Sequence, residues 1–476
     1  MSISKNYIYN LVYKLLLILL PVITLPYIAR VLGSESIGIN AYTNSIAQYF
    51  ILFGTLGISL YGKREIAYVR DDVKARSETF LEIYLLQLVC TLFSLVIYFI
   101  FFIYIYNIEY TMILLLQSIH ILSAAMDISW FFIGMEDFKK TVTRNLFVKA
   151  VGVFFIFLLI NDANDLWLYI LIIGFSNLVG QLSLWIYIRK YLVDIKINIK
   201  NIFKHFIPNI QLFIPQIAIK IYVVMDKTML GIFTTESQVG YYDMSQRIVR
   251  ISLALVTSMG AVMLPRISNL HYKNKKSKIN LYIERTFKFA SFLAMPIMFG
   301  LIGISDVFVP LFLGSDFRNV TYLIVLISPI TLFIAWSNVI GLQYMLPIRK
   351  EKEFTISVII GALAGFFMNL LLIPLYQAVG ACIATVIAEF LVIFTQILFV
   401  RKDILVKNMY KEIWKPILSS FLMFLVVRLI GFNLIHSYKT IIFQIITGIM
   451  CYGIFSYLLK DKMFYYILKK LSSLNN

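Results

Sequence analysis

Charge is scarce in this chain of 476 residues. Asp, Glu, Lys and Arg together make up 14%, where soluble proteins carry roughly a quarter. With 60% hydrophobic residues and a mean hydropathy of +0.83, that shortage excludes a set of water-soluble domains. Apolar surface on this scale has no aqueous core large enough to hide in. Cysteine is scarce too. Cys90, Cys382 and Cys451 lie far apart in apolar stretches, which excludes a disulfide framework or a zinc-ligand spacing. Histidines are few and scattered, so no metal site is expected. There is no P-loop pattern, and no connection is long enough for a soluble module, so an ATP-driven pump in one chain is excluded. The first residues lack a small-residue cleavage site, and the apolar run from Tyr7 reads as a retained first span.

Long apolar runs are what the chain does have. A spanning helix needs about 20 apolar residues, and the chain reads as an all-α polytopic membrane protein with about fourteen such helices. The first seven are 7–29, 41–62, 78–106, 110–134, 146–160, 166–188 and 207–233. The others are 242–265, 286–313, 320–346, 355–375, 379–400, 416–432 and 440–459. The formal net charge is +18. Sorted by side of the membrane, Lys and Arg concentrate on the N-terminal side, with only Arg30, Arg318 and Lys439 opposite. The positive-inside rule then places both termini in the cytoplasm. Most of the charge excess is thereby topology, and no nucleic-acid partner is expected.

An internal repeat is also legible. LGSESIGINAYTNSI (32–46) is matched by LGIFTTESQVGYYDMSQRI (230–248), Gly38 by Gly240 and Gly57 by Gly260. WFFIGMEDFKK (130–140) faces IGLQYMLPIRK (340–350), and Arg189-Lys190 faces Arg401-Lys402. Equivalent positions are an even number of spans apart, so the repeats are parallel. The expected organisation is a six-helix lobe at 1–190, a cytoplasmic linker at 191–206 and a second six-helix lobe at 207–402. A final helix pair and tail occupy 403–476.

Several of these stretches resemble the Wzx-type polysaccharide flippases of the multidrug/oligosaccharidyl-lipid/polysaccharide exporter superfamily. They are LPYIARVLGSESIGINAYTNSI (25–46), DISWFFIGMEDFKKTVTRN (127–145), DKTMLG (226–231) and VGYYDMSQRIV (239–249), with LQYMLPIRKEKEF (342–354) and NLLLIPLYQAVGACIATVIAEF (369–390). The resemblance implies a MATE-like fold in the bacterial plasma membrane. It implies no enzyme but a flippase that moves an undecaprenyl-pyrophosphate-linked oligosaccharide to the outer leaflet, for capsule, O-antigen or a related polymer. It also implies alternating access, H+ or Na+ as coupling ion, no cofactor, and a polysaccharide polymerase and glycosyltransferases as partners.

A flippase must give a charged head group a wet path. Ionisable side chains inside spans cost about 2.5–3.5 kcal/mol each and mark functional positions. Lys220 and Lys227 share one helix face, and Asp243, Arg247 and Arg250 share another. With Lys14 and Arg30 of the first span, Lys220, Lys227, Arg247 and Arg250 are the expected phosphate-binding cations of a cavity between the lobes. The competing readings are a snorkelling Arg30, an Asp243 that neutralises Arg247 and an Asp226 that balances Lys227. Lys149 and Arg428, near span ends, read as structural. Asp127 and Glu389 lie within spans and are candidates for carrying a proton or balancing charge. Some relatives bind sodium between their seventh, eleventh and twelfth spans, where Asp226, Asn369, Thr385 and Glu389 stand here. Tyr49, Tyr104, Tyr106 and Trp167 fit an interfacial belt, and Tyr241 and Tyr242 fit the belt or sugar stacking. Glu136 and Asp137 read as a solvated loop or a lobe-closing latch.

Three rivals are set against this. A MATE-type drug exporter favours acids in its cavity, and the intramembrane cations count against it. A polysaccharide polymerase or ligase needs a large outer loop, and none is present. A scaffold for a biosynthetic complex predicts no transport.

Overall fold

A computed structural model describes residues 3–105, 110–195, 199–257 and 260–472, and the described residues are helical with no strand. This is the all-α solution expected in hydrocarbon, where each backbone group must find its partner within its own segment. The chain divides into two compact units, Met1–Gly231 and Ile232–Asn476. That division follows compactness, whereas the lobes above follow the repeat.

The first unit opens with α1 (Ile3–Thr55), which is broken at Gly33 (φ 74°, ψ 175°), a conformation open essentially to glycine alone. Leu56 and Gly57 then take positive φ, and α2 (Ile58–Tyr68) starts on left-handed Gly57. α3 (Val73–Ile105) is capped by Asp72, whose carboxylate accepts the N–H groups of Lys74 and Ala75 at 2.9 and 3.0 Å. α4 (Thr111–Ala125) and α5 (Ser129–Gly134) are separated by a short non-helical stretch containing Asp127. The remaining helices are α6 (Phe138–Leu159), α7 (Leu166–Ile188), α8 (Ile199–Ile202) and α9 (Phe206–Phe233), whose last two residues fall in the second unit. Phe80, Trp130, Phe131 and Phe132 are fully buried at the centre of this unit.

The second unit holds α10 (Glu236–Thr257), α11 (Gly260–Tyr272), α12 (Lys276–Phe312), α13 (Arg318–Ile327) and α14 (Ile330–Ser337). α14 runs on into a π-helical turn over Asn338–Met345, a form that recurs at functional positions. α15 (Glu351–Val400) is broken at Gln377 (φ 52°, ψ −129°). α16 (Val406–Tyr410), α17 (Trp414–Asn433), α18 (Tyr438–Leu458) and α19 (Lys462–Ser472) complete it. Phe287 stacks on Trp336 with centroids 5.3 Å apart, and Tyr410 meets Phe287 edge-on.

Among the described residues, eight helices are long and apolar enough to cross a bilayer, nine if the bent pair Ser315–Ile327 and Ile330–Met345 is one span. Two of the eight, Val22–Tyr68 and Glu351–Val400, have 47 and 50 residues. Straight helices of that length would be roughly 70–75 Å long, more than twice the hydrocarbon thickness of about 30 Å. The breaks at Gly33 and Gln377 divide them. α10, expected as a span, is not among the eight, and it carries Glu236, Asp243, Arg247 and Arg250. Large apolar side chains such as Phe147, Leu375 and Leu429 lie exposed on the outside. Lipid tails are the solvent such a surface suits.

The two units contain similar breaks. WFFIGMEDFKK ends α5 on a positive-φ residue, Glu136, and its counterpart in the second unit ends on positive-φ Arg349. Each following loop is tied to the end of a later helix. The Tyr191 hydroxyl donates to Asp137 at 2.7 Å, and Lys350 pairs with Asp403.

Candidate functional site

A cavity of about 300 Å³ with a mixed apolar and polar lining lies inside the first unit, between α1, α2, α3, the α4–α5 junction and α9. Lys220 of α9 and Asp127 are its charged lining residues, accompanied by Gln48, Thr55, Ser59 and Gln87. The geometry follows from the breaks around it. Gly57 turns the chain out of α1 and places Ile58 and Ser59 on the wall. The gap between α4 and α5 frees backbone carbonyls, and Gln87 takes them up. Its amide donates to the carbonyls of Ala124 and Asp127 at 2.8 and 2.9 Å. Its oxygen accepts the Trp130 indole N–H at 3.0 Å. The Asp127 carboxylate accepts the Ser129 N–H at 2.8 Å, which fixes its direction. The result is an exposed lysine and an oriented, half-buried carboxylate on the wall of one recess, which Ile51, Leu52, Ile58 and Trp130 also line. Its volume is at the bottom of the range for small-molecule pockets, enough for a phosphate group or one sugar ring and too little for an oligosaccharide.

The other expected residues are distributed as follows. The side chain of Lys14 lies outside the described residues, as does that of Tyr104, and Tyr106 lies wholly outside them. Arg30 is exposed, near the break at Gly33. Asp226 is buried and Lys227 half-buried on α9. In the second unit Asp243 is fully buried, and its carboxylate holds Arg247 Nε at 2.6 Å as an i,i+4 pair. The neutralising geometry weighed from the sequence is therefore present. Arg250 is half-buried one turn further on, its Nε without a hydrogen-bond partner among the described residues. Thr385 and Glu389 are buried one turn apart on α15, with Asn369, also buried, on the other side of the Gln377 break. The Thr385 hydroxyl lies 2.9 Å from that of Tyr242 and donates to the Ala381 carbonyl at 2.8 Å. Gln246 donates to the Tyr242 hydroxyl at 2.9 Å. Among the described residues, no group of three or more His, Cys, Asp or Glu side chains is placed to hold a metal.

One aromatic expectation is corrected. Tyr242 is fully buried in the Thr385 network, away from belt and sugar alike. Tyr241 packs edge-on against Phe317. Thr228 donates to the Tyr49 hydroxyl at 3.3 Å and lies 2.8 Å from Ser45. Glu136, 69% exposed, pairs with Arg70 at 3.1 Å, and Asp137 accepts the Tyr191 hydroxyl, both contacts within the first unit. Arg428 pairs with Asp306 of α12.

Sequence reasoning missed one buried cluster. His205, just before α9, places Nδ1 2.7 Å from the Tyr61 hydroxyl of α2 and Nε2 2.9 Å from Glu82 of α3. Lys204 reaches the same carboxylate oxygen at 2.8 Å. Burying a carboxylate is costly unless it is paired and hydrogen-bonded, and here it is both. The one sequence signal was a histidine in a chain with few.

The model of the family described as polysaccharide biosynthesis protein matches residues 3–271. The chain belongs to this family. The chain is similar to a protein described as an O-antigen transporter of Escherichia coli K12, 24% identical over 85% of this chain and 98% of that one. A protein described as a low-salt glycan biosynthesis flippase of Haloferax volcanii is 24% identical over 47% of each chain. Among solved structures, the lipid II flippase MurJ in an inward closed conformation superposes with a TM-score of 0.73 at 19% identity, covering 97% of this chain and all of that one. An inward-facing multidrug MATE transporter gives 0.59 at 14% identity, over 86% and 96%. The fold of this polysaccharide biosynthesis protein is thus the MurJ/MATE fold, as the resemblance in its sequence implied.

Proposed function

We propose that this polysaccharide biosynthesis protein is a flippase for a lipid-linked glycan. Its substrate on this reading is an undecaprenyl-pyrophosphate-linked oligosaccharide, moved from the cytoplasmic to the outer leaflet of a bacterial plasma membrane for O-antigen, capsule or a related polymer. The observation that carries the reading is the Lys220–Asp127 cavity, a charged recess inside an apolar unit of this family. Lys220 offers three N–H donors and a full charge to a phosphate. Asp127 and the polar groups around it suit sugar hydroxyls. Because the recess holds only a small group, it serves as one station on a path while the rest of the substrate lies outside it. No bond is made or broken. The work is alternating exposure of this station to the two sides, driven by H+ or Na+. Fourteen crossings with both termini in the cytoplasm, and a polymerase and glycosyltransferases as neighbours, belong to the same proposal. A drug exporter for organic cations would want an unmatched acid, whereas Asp127 shares its recess with a lysine.

The test is made in cells deleted for the chain, which should hold the lipid-linked glycan out of reach of a sugar-modifying enzyme added outside spheroplasts. Wild-type protein is expected to restore exposure. Lys220→Ala should lower the rate roughly ten- to hundred-fold, the equivalent of about 1.5–3 kcal/mol for a hydrogen bond to a charged group. A wild-type rate in that variant overturns the site, and failure of the wild type to restore exposure overturns the function.

A further inference from the structure

The second unit contains a larger cavity, of about 770 Å³, walled by α11, the start of α12, the start of α17 and α19. One part of its wall is apolar, with Met263, Leu281, Phe289, Met463 and Ile467. The other part is charged. Four cations, Arg266, Arg285, Lys288 and Lys462, stand against three carboxylates, Glu284, Glu412 and Asp461, leaving one formal positive charge. The pairings show where that charge resides. Lys288 is 2.6 Å from Glu284, and Lys462 is 2.8 Å from Glu412. The Asp461 carboxylate accepts the Met463 N–H at 2.7 Å and so caps α19. Among the described residues neither Arg266 nor Arg285 is paired with a carboxylate, and both are exposed. Arg266 lies over the Tyr282 ring, 4.2 Å from its centroid, and donates from Nη2 to the Tyr282 hydroxyl, which holds the guanidinium in place with its other N–H groups left to donate.

The location adds a second argument. α19 follows α18, a helix long and apolar enough to cross a bilayer, after a turn of only a few residues. It turns Met463, Tyr466 and Ile467 to the cavity and carries Lys462 and Lys469 as well. A short amphipathic helix immediately after a crossing lies in the interface, level with lipid head groups.

We propose that this cavity binds one anionic phospholipid of the surrounding bilayer, its phosphodiester held by Arg266 and Arg285 and a chain laid along the apolar wall. Arginine's planar fork matches two phosphate oxygens at once. The two arginines without a carboxylate partner suit a phosphodiester, which carries one negative charge, and Lys415 beside Glu412 and Asp461 adds to the positive field. The volume is within the range for small-molecule pockets, about 300–1,000 Å³, enough for a head group and part of one chain. The inference needs only that the chain spans a bilayer, so it stands apart from the flippase reading and is tested by binding without transport.

Purified full-length protein is titrated with phosphatidylglycerol and, in parallel, phosphatidylcholine, and retained lipid is counted by native mass spectrometry. Phosphatidylglycerol should be favoured roughly ten-fold or more, the scale of one hydrogen bond between charged groups. The R266Q/R285Q double variant should lose that preference. Because a double variant can misfold, Glu284→Gln is run alongside. It frees Lys288 and should tighten phosphatidylglycerol, which a folding defect cannot do. Equal retention of the two lipids overturns the proposal, as does a Glu284→Gln protein that binds phosphatidylglycerol no more tightly. Arginine-dependent displacement of phosphatidylglycerol by an equal concentration of undecaprenyl pyrophosphate also overturns it and gives the cavity to the carrier lipid.

Discussion

Asp243 and Arg247 show how one ion pair can be both a structural element and a candidate contact. Asp243 is fully buried, Arg247 is 39% exposed, and their atoms are 2.6 Å apart. Removing only the arginine leaves a buried carboxylate short of a partner, at a cost of about 1–3 kcal/mol. Arg247→Gln should therefore destabilise the purified protein in thermal unfolding, and Asp243→Asn/Arg247→Gln should recover most of the loss. Unchanged stability in the single variant with transport abolished would instead give Arg247 to the substrate alone. Gly57 offers a second test. Its φ of 92° costs an L-residue about 1–2 kcal/mol, so Gly57→Ala should lower stability by that amount and disturb the wall beside Lys220. The pair at 243 and 247 could be read from the sequence because helical periodicity is local. The Tyr61–His205–Glu82 cluster could not, since its members come from three segments that only tertiary packing brings together.

Elements were legible in outline and less so at their breaks. Hydropathy marks the apolar helices, since the bilayer imposes one length and one backbone solution. It says nothing of Gln377, whose φ of 52° belongs to a region that glycine occupies cheaply and glutamine does not. Gln377→Gly should thus raise stability by about 1 kcal/mol in the same unfolding assay, and a fall would mean that the glutamine side chain is a needed tie at the break. α19 escaped notice because a short amphipathic tail has no crossing-length signal. Its cap brings a pH dependence. Burial pushes the Asp461 carboxyl above its usual range, against the opposing N–H groups of Met463 and Phe464 and the charge of Lys415, while Glu412 pushes the same way as burial. Tyr452 and Lys462 are the other ionisable neighbours. A carboxyl with a raised folded-state pKa adds stability at low pH that is lost as pH rises through that pKa. Docking of α19 should therefore strengthen as pH falls through that raised pKa toward the ordinary carboxylate range. Phosphatidylglycerol should also bind more tightly there, because protonation removes a negative charge from the cavity. Asp461→Asn should bind equally above and below that pKa, and a pH difference that survives in it would contradict the assignment.

At the scale of the molecule, the sequence already pointed to an all-helical MATE-like membrane protein, and the MurJ-like and MATE-like superpositions agree with it. What it could not supply was the company of Lys220, whose side chain is exposed at the edge of the recess. Periodicity put that lysine on a helix face, but only the breaks at Gly57 and between α4 and α5 bring Asp127 and a set of amides and hydroxyls around it. The most direct measurement is reconstitution. Purified protein is placed in liposomes with a short undecaprenyl-pyrophosphate-linked oligosaccharide, and the fraction of sugar open to an external modifying enzyme is followed under imposed H+ and Na+ gradients. The account predicts that protein speeds exposure of the inner-leaflet pool well above empty liposomes, and that Lys220→Ala slows it. Exposure no faster than in empty liposomes under every gradient, with efflux of a cationic dye in its place, would contradict it.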